Sequence, residues 1–303
     1  MSEGSKSEVD KKLVLCVTYL IPEKSNVHKH DPHLGYMIQL NPLTIVKLGG
    51  SVITYKDSFP PKVNKSNLSR IVKELKTHRG ELIIVLGGGA HGHQAAHSHG
   101  FADPNSSKEL LVRGIPPIRH NMSELATSVE TILNKEEIPT IIIAPFTCVT
   151  LRNGLIHKFP TSIIRKALDN GLVVLTHGDV CFDEESTTSI LSGDTIAVHL
   201  AEQMNAGTIL IGTDVDGVLD DNPKLNPSAK HIPLINQKNK EATLAKTGPS
   251  TNTDVTGGML KKVSELLEIA RQNREIIIFN LTVPNRLKSL LQNETTICTR
   301  IQP

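Results

Sequence analysis

Five short clusters in this sequence combine glycine with lysine, histidine or aspartate, each where an apolar run ends or a helical pattern begins. Lys47-Leu48-Gly49-Gly50-Ser51 closes the run from Thr44 to Leu48, and Gly87-Gly88-Gly89-Ala90-His91-Gly92-His93 follows Leu82 to Leu86. His177-Gly178-Asp179 follows Leu172 to Thr176, and Thr213-Asp214-Val215-Asp216-Gly217-Val218 follows Thr208 to Ile211. Asp254-Val255-Thr256-Gly257-Gly258-Met259 opens a helical stretch that carries Lys261 and Lys262. Glycine lets the backbone approach a bound group closely and aim several N–H groups at one anion. A neighbouring lysine adds a point charge, and a helix N-terminus adds a favourable dipole. These residue types suit a cradle for a phosphate chain. Singly, each cluster is equally well a tight packing turn, and Asp214 with Asp216 an Asx-type turn closed by Gly217. Five in one chain, all at element boundaries, favour the anion reading. The first lacks the Walker spacing and the second is no dinucleotide fingerprint, which disfavours both of those folds.

Such turns need rigid elements to hold them. Strands are expected at Thr44 to Leu48, Leu82 to Leu86, Thr140 to Ala144, Leu172 to Thr176, Thr208 to Ile211 and Ile276 to Asn280. Most are continuous apolar runs, as strands buried on both faces tend to be. Between them, Ser66 to Lys76 places Leu68, Ile71, Val72 and Leu75 on one helical face. Ser123 to Leu133, Thr161 to Leu168 and Lys261 to Gln272 follow similar spacing. The alternation predicts an α/β protein, a mostly parallel central sheet in a three-layer αβα arrangement. In such sheets, ligands collect at the carboxyl ends of the strands, where the clusters lie. Residues 1–40 read differently, as an N-terminal extension to a domain over 41–303.

The chain has 303 residues, 38% hydrophobic and 21% charged, enough for a sizeable core. A formal charge of +2 gives no field for nucleic acid or anionic lipid, and 3% aromatics with no Trp offer little for base stacking. Cys16, Cys148, Cys181 and Cys298 are scattered, with no C-x-x-C pair, which suits reduced thiols in a cytoplasm and argues against a zinc site. No apolar run approaches the ~20 residues that cross a bilayer. Leu13 to Ile21 is read as a short strand or arm, since acidic residues precede it and no small-residue cleavage site follows.

In order and context the clusters resemble the amino acid kinase superfamily, from about Thr44 to the C-terminus. Within it they are most similar to the isopentenyl phosphate kinases. The shared patterns are Lys47 to Ser51 with Thr54 and Lys56, Gly87 to His93, His177 to Asp179, Ser192-Gly193-Asp194, and Asp254 to Met259. The resemblance implies the amino acid kinase-like fold, with an acceptor-binding lobe over about 41–190 and an ATP-binding lobe over about 191–303. It implies transfer of a phosphoryl group from ATP to isopentenyl phosphate, a step of isoprenoid biosynthesis, by a cytoplasmic homodimer.

By the same resemblance Lys47 and Lys56 contact the ATP phosphates, Lys262 holds the β/γ region, and Asp179 orients the lysines. Gly49, Gly50, Ser51, Gly89 and Gly258 belong to the ATP site, with Thr213, Asp214, Asp216 and Gly217 bordering the nucleotide. Gly88, Gly92, Gly178 and Gly193 line the acceptor side. Magnesium comes with ATP, held mainly by phosphates and water, with no dedicated metal ligands on the protein. His93 stands where kinases with a phosphate or phosphonate acceptor carry a histidine, whose N–H can bond an acceptor oxyanion.

The sequence departs from the pattern in three places: His91 replaces an aromatic, Leu260-Lys261 follows Met259, and the N-terminal arm is extra. His91 bears on the shape of the acceptor pocket. Two alternatives stand beside the main reading. Fosfomycin-type kinases share the histidine, and Thr150 to Gly154, and Gly178-Asp179 with Phe182-Asp183-Glu184, resemble them. A nucleotide-binding sensor without catalysis is the other, opposed by the retention of Lys47, Lys56, Asp179 and Lys262.

Overall fold

A computed structural model describes residues 42–221, 226–246 and 258–303, all within the unit Leu40–Pro303. The expected extension 1–40 and the cluster from Asp254 to Gly257 lie outside the described residues. An eight-stranded sheet forms the centre. Its strands run, from one edge to the other, Leu234–Ile235, Thr299–Ile301, Glu275–Asn280, Thr208–Thr213, Thr44–Leu48, Leu82–Leu86, Val173–His177 and Thr140–Ile142. Neighbours are parallel except Glu275–Asn280 with Thr299–Ile301. All six expected strands are present, with ends shifted by one or two residues.

Alternate residues of each strand enter opposite cores, so the runs are apolar on both faces apart from residues such as Thr44 and Lys47. Val46, Ile84, Leu175, Leu210 and Ile277 face one layer of helices, Lys65–Leu75, Lys108–Lys135 and Arg286–Leu291. Ile45, Ile83, Val174, Ile209 and Ile276 face the other, Ser162–Asp169, Gly193–Gln203 and Gly258–Glu268. This is the expected αβα sandwich. A four-stranded sheet, ordered Thr187–Leu191, Asp179–Asp183, Thr150–Arg152 and Leu155–Lys158, stands beside the second core; the sequence reading did not find it.

The Lys108–Lys135 helix is the largest difference from expectation, because only Ser123 to Leu133 was read as helical. Pro116 and Pro117 sit inside it. Proline removes a helical N–H and crowds the carbonyl four residues back, so it reads as a stop. Here burial of Ile115, Ile118, Met122, Leu125 and Val129 along one face carries the helix through. Gly89–Ser98 was also unexpected as a helix, since its glycines and histidines have poor helical propensity.

Glu74 ties the Lys65–Leu75 helix to the segment after the Glu275–Asn280 strand. Its buried carboxylate accepts from Arg70 Nη1 at 2.6 Å, Asn285 N at 3.0 Å and Lys288 N at 3.1 Å. Glu74→Ala leaves a cation and two helix-start N–H groups unanswered. It should cost about 3 kcal/mol in urea unfolding; a loss under about 1 kcal/mol would show that water replaces the carboxylate.

Candidate active site

The parallel strands deliver their turns to one end of the sheet, and the turns meet backbone to backbone. A methyl built on Gly50 would lie 2.2 Å from Gly89 N, and Gly89 itself has φ +51°, a conformation that suits glycine. Only hydrogen at both positions allows the first two loops to close on each other. Around them opens a cavity of about 690 Å³.

Lys47, on the last turn-facing stretch of its strand, is 7% exposed and reaches Asp194 Oδ1 at 3.1 Å. Lys262, from the Gly258–Glu268 helix, reaches Asp194 Oδ2 at 2.6 Å. Asp194 lies in the first turn of the Gly193–Gln203 helix, whose N-cap Ser192 accepts from Thr195 N at 3.1 Å. Burial works against the Asp194 charge, yet the Lys262 and Lys47 charges outweigh it and hold its carboxyl well below the usual range. A second pair, Lys56 Nζ to Asp214 Oδ2 at 2.6 Å, stands more open on the cavity wall. Burial pushes Asp214 up, but its bond to Lys56 holds it down.

Asp179 has a different partner. Its carboxylate pairs with Arg119 and accepts from Phe146 N at 3.2 Å and Val180 N at 2.9 Å. Arg119 also lies 5.2 Å above the Phe146 ring. Burial raises Asp179 to about 6 against the opposing pull of Arg119. Neighbouring His177 is fully buried, which lowers it to about 4 and keeps it neutral. The bridging of lysines expected of Asp179 therefore falls to Asp194. The sequence carried the signal, Ser192-Gly193-Asp194, a capped helix start with an acid in its first turn.

The cavity is also bordered by Gly49, Gly50 and Ser51 from the first turn, and by Gly88, Gly89, Gly92 and His93 from the second. Gly178, Asp179, Gly193, Thr213 and Asp214 complete the polar wall. Asp216 and Gly217 do not border it. Asp216 instead accepts from Arg286 Nη1 at 2.6 Å and Asn280 Nδ2 at 3.1 Å, which pins the loop to the following strand end. Gly258 is the first residue of the helix that carries Lys262. His91 points away from the cavity: its ring is buried, and burial lowers its pKa against the charge of Glu124. It thus fills space behind the loop and leaves the pocket to its neighbours.

Behind His93 the wall turns apolar. Met122 Sδ sits 3.2 Å from a methyl built on Gly92, and Ile118, one turn away on the same helix, joins it with Ile190. The cavity is therefore lined by lysines and glycine turns together with apolar side chains. Among the described residues no cluster of three His, Cys, Asp or Glu is placed to hold a metal, and Asp194 and Asp214 are already engaged by lysines.

The amino acid kinase family profile matches residues 42–280. The isopentenyl phosphate kinase of Methanothermobacter thermautotrophicus is 35% identical over 265 residues, 86% of this chain and 98% of that enzyme. A solved structure of isopentenyl phosphate kinase superposes with TM-score 0.75 at 32% identity, over 86% of this chain and 100% of the other. A UMP kinase structure from Ureaplasma parvum, at 19% identity, TM-score 0.58 and coverage of 86% and 99%, shares the fold.

Two outcomes follow. Asp194→Asn removes the charge shared by both lysines and should lower kcat about 100-fold, while circular dichroism stays native; a wild-type kcat would mean the lysines are held otherwise. Asp179 has a folded pKa above the ordinary value near 4, so the folded state holds its proton more tightly. Its ionisation then costs stability as pH rises from about 4 to about 6. Relative to Asp179→Asn, the wild type should lose stability across that interval and change little above pH 7 in urea titrations. A constant difference would remove the effect.

Proposed function

The chain belongs to the amino acid kinase family, and from that premise we propose that it transfers the γ-phosphoryl of ATP to isopentenyl phosphate, yielding isopentenyl diphosphate and ADP. What supports the reading most is the union, in one cavity, of a lysine-rich anion pole with an apolar wall of Ile118, Met122 and Ile190. A short branched hydrocarbon carrying one phosphate matches both, and relatives named for that reaction align over most of the chain.

An acceptor phosphate oxygen attacks the γ-phosphorus as the bond to the β–γ bridging oxygen breaks. The attacking oxygen is already anionic at neutral pH, so no strong base is needed, and catalysis is positioning plus charge neutralisation. Lys47 and Lys262 converge on the point where charge shifts, held by Asp194. Lys56 supplies a third cation from the more open rim. The N–H groups of the Gly49-Gly50 and Gly88-Gly89 turns face donor and acceptor phosphates, with Gly178 and Gly193 on the acceptor side. His93 binds the acceptor oxyanion from its helix. Magnesium bound to ATP would neutralise phosphate charge, held by phosphate oxygens and water since the nearby carboxylates serve lysines. The acceptor lies toward the 41–190 portion and the nucleotide toward 191–303. A cytoplasmic homodimer completes the reading, on the scattered cysteines and the family likeness.

Of the segments that resemble fosfomycin kinases, Thr150 to Gly154 and Phe182-Asp183-Glu184 serve the small sheet, while Gly178 and Asp179 border the cavity. Asp183 accepts from Gly154 N at 2.7 Å and Asn153 N at 3.1 Å, stitching its turns away from the cavity lining. The relatives favour the isoprenoid acceptor. Purified protein with ATP and isopentenyl phosphate should give ADP and isopentenyl diphosphate by phosphorus NMR; far faster turnover of fosfomycin would overturn the assignment. His93→Ala should raise the acceptor KM about tenfold or more, the worth of a bond to a charged group, with the ATP KM near wild type. An unchanged acceptor KM would take His93 out of the site.

A further inference from the structure

Thr195 and Glu265 lie beside the lysine bridge without bordering the cavity. The Thr195 hydroxyl donates to Glu265 Oε1 at 3.1 Å and stands 3.4 Å from Oε2. It is also 2.9 Å from Ser192 Oγ. Thr195 directly follows Asp194, and Glu265 follows Lys262 by three residues, close to one helical turn. The same two helices are thus joined twice at short spacing, once by Asp194 with Lys262 and once by Thr195 with Glu265.

A single contact between helices leaves them free to slide and roll about it. Both helices also pack in one apolar core through Ile196, Leu200, Val263 and Leu266. The two polar contacts, adjacent on the Asp194 helix and nearly a turn apart on the Lys262 helix, add the directional points that set how far Lys262 extends toward Lys47. The helix cap does not need the Thr195 hydroxyl, because Ser192 Oγ receives the Thr195 backbone N–H. Lys261, 3.8 Å from Glu265 and largely exposed, is a weak competitor for the carboxylate.

We propose that the Thr195–Glu265 hydrogen bond is a positioning contact that fixes the register of the Lys262 helix on the Asp194 helix, and with it the placement of the lysine charges on the transferred phosphoryl group. The proposal rests on the phosphoryl-transfer reading for its kinetic readout, whereas nucleotide affinity tests it without any acceptor.

Thr195→Val keeps the shape and removes the donor; Thr195→Ser restores the donor; Glu265→Gln keeps an acceptor oxygen and removes the charge. Thr195→Val should lower kcat about tenfold, a fraction of what a 1 Å misplacement can cost, with acceptor KM and melting temperature near wild type. Thr195→Ser and Glu265→Gln should retain most of kcat. Wild-type kcat in Thr195→Val would overturn the proposal. So would a loss that tracks melting temperature and is not rescued by serine, since that is a purely structural effect. If the wild type does not use isopentenyl phosphate, the function assignment fails by itself, and calorimetry with a non-hydrolysable ATP analogue decides this one. Weaker binding by Thr195→Val, restored in Thr195→Ser, supports the contact, and equal affinities overturn it.

Discussion

A carboxylate shared by two lysines from opposite ends of the sequence is the constraint on which the rest of the site depends. Asp194 stands between Lys47 and Lys262, which are 215 residues apart in the chain. Two ammonium groups this close repel each other, and burial adds to the cost of each charge. The single anion offsets both, so the lysines can be kept together before any phosphate arrives. Each must then come from an element whose end is fixed: a central strand for Lys47 and helix starts for Asp194 and Lys262. The sheet supplies this, because the carboxyl ends of its six mutually parallel strands, Lys47's among them, open on the same side.

The glycines follow from that geometry. Once Lys47 and Asp194 are in place, the neighbouring turns have no room for side chains, as the contact between Gly50 and Gly89 shows. Gly49, Gly50, Gly88 and Gly89 border the same cavity as the lysines, and backbone donors fixed in advance cost no reorganisation when charge moves. The apolar wall, by contrast, comes from elements far from the glycine turns in sequence: Ile118 and Met122 from a long helix, Ile190 from the small sheet. Electrostatics and acceptor shape are thus built by different parts of the chain.

This division explains what could be read in advance. The six strands were legible because residues entering two cores leave few polar positions, Lys47 the main exception, to interrupt the run. The glycine and lysine clusters were legible because each is local. What was not legible was non-local or depended on tertiary override. The partner of Lys47 required knowing which of several acids faces it, and the resemblance pointed to Asp179, beside a glycine turn, with no role given to Asp194. Asp179 instead answers Arg119, which lies on the part of the Lys108–Lys135 helix that Pro116 and Pro117 had hidden. The apolar wall was missed for the same reason, since Ile118 and Met122 both belong to that stretch.

The two acidic partners also differ in a way that bears on turnover. Asp194 holds lysines that are 8% and 12% exposed at the side chain, whereas the Lys56–Asp214 pair is 48% and 40% exposed. An ion pair in water is worth little and is readily exchanged, while a buried one is costly to break. An incoming polyphosphate can therefore draw Lys56 from Asp214 at small cost, but must share Lys47 and Lys262 with Asp194. Together the five groups carry three positive charges against two negative, a surplus small enough to let a diphosphate product leave. On the proposed reaction the buried bridge would set where the phosphoryl group passes, and the open pair would be the part of the site able to follow the phosphates as they enter and go.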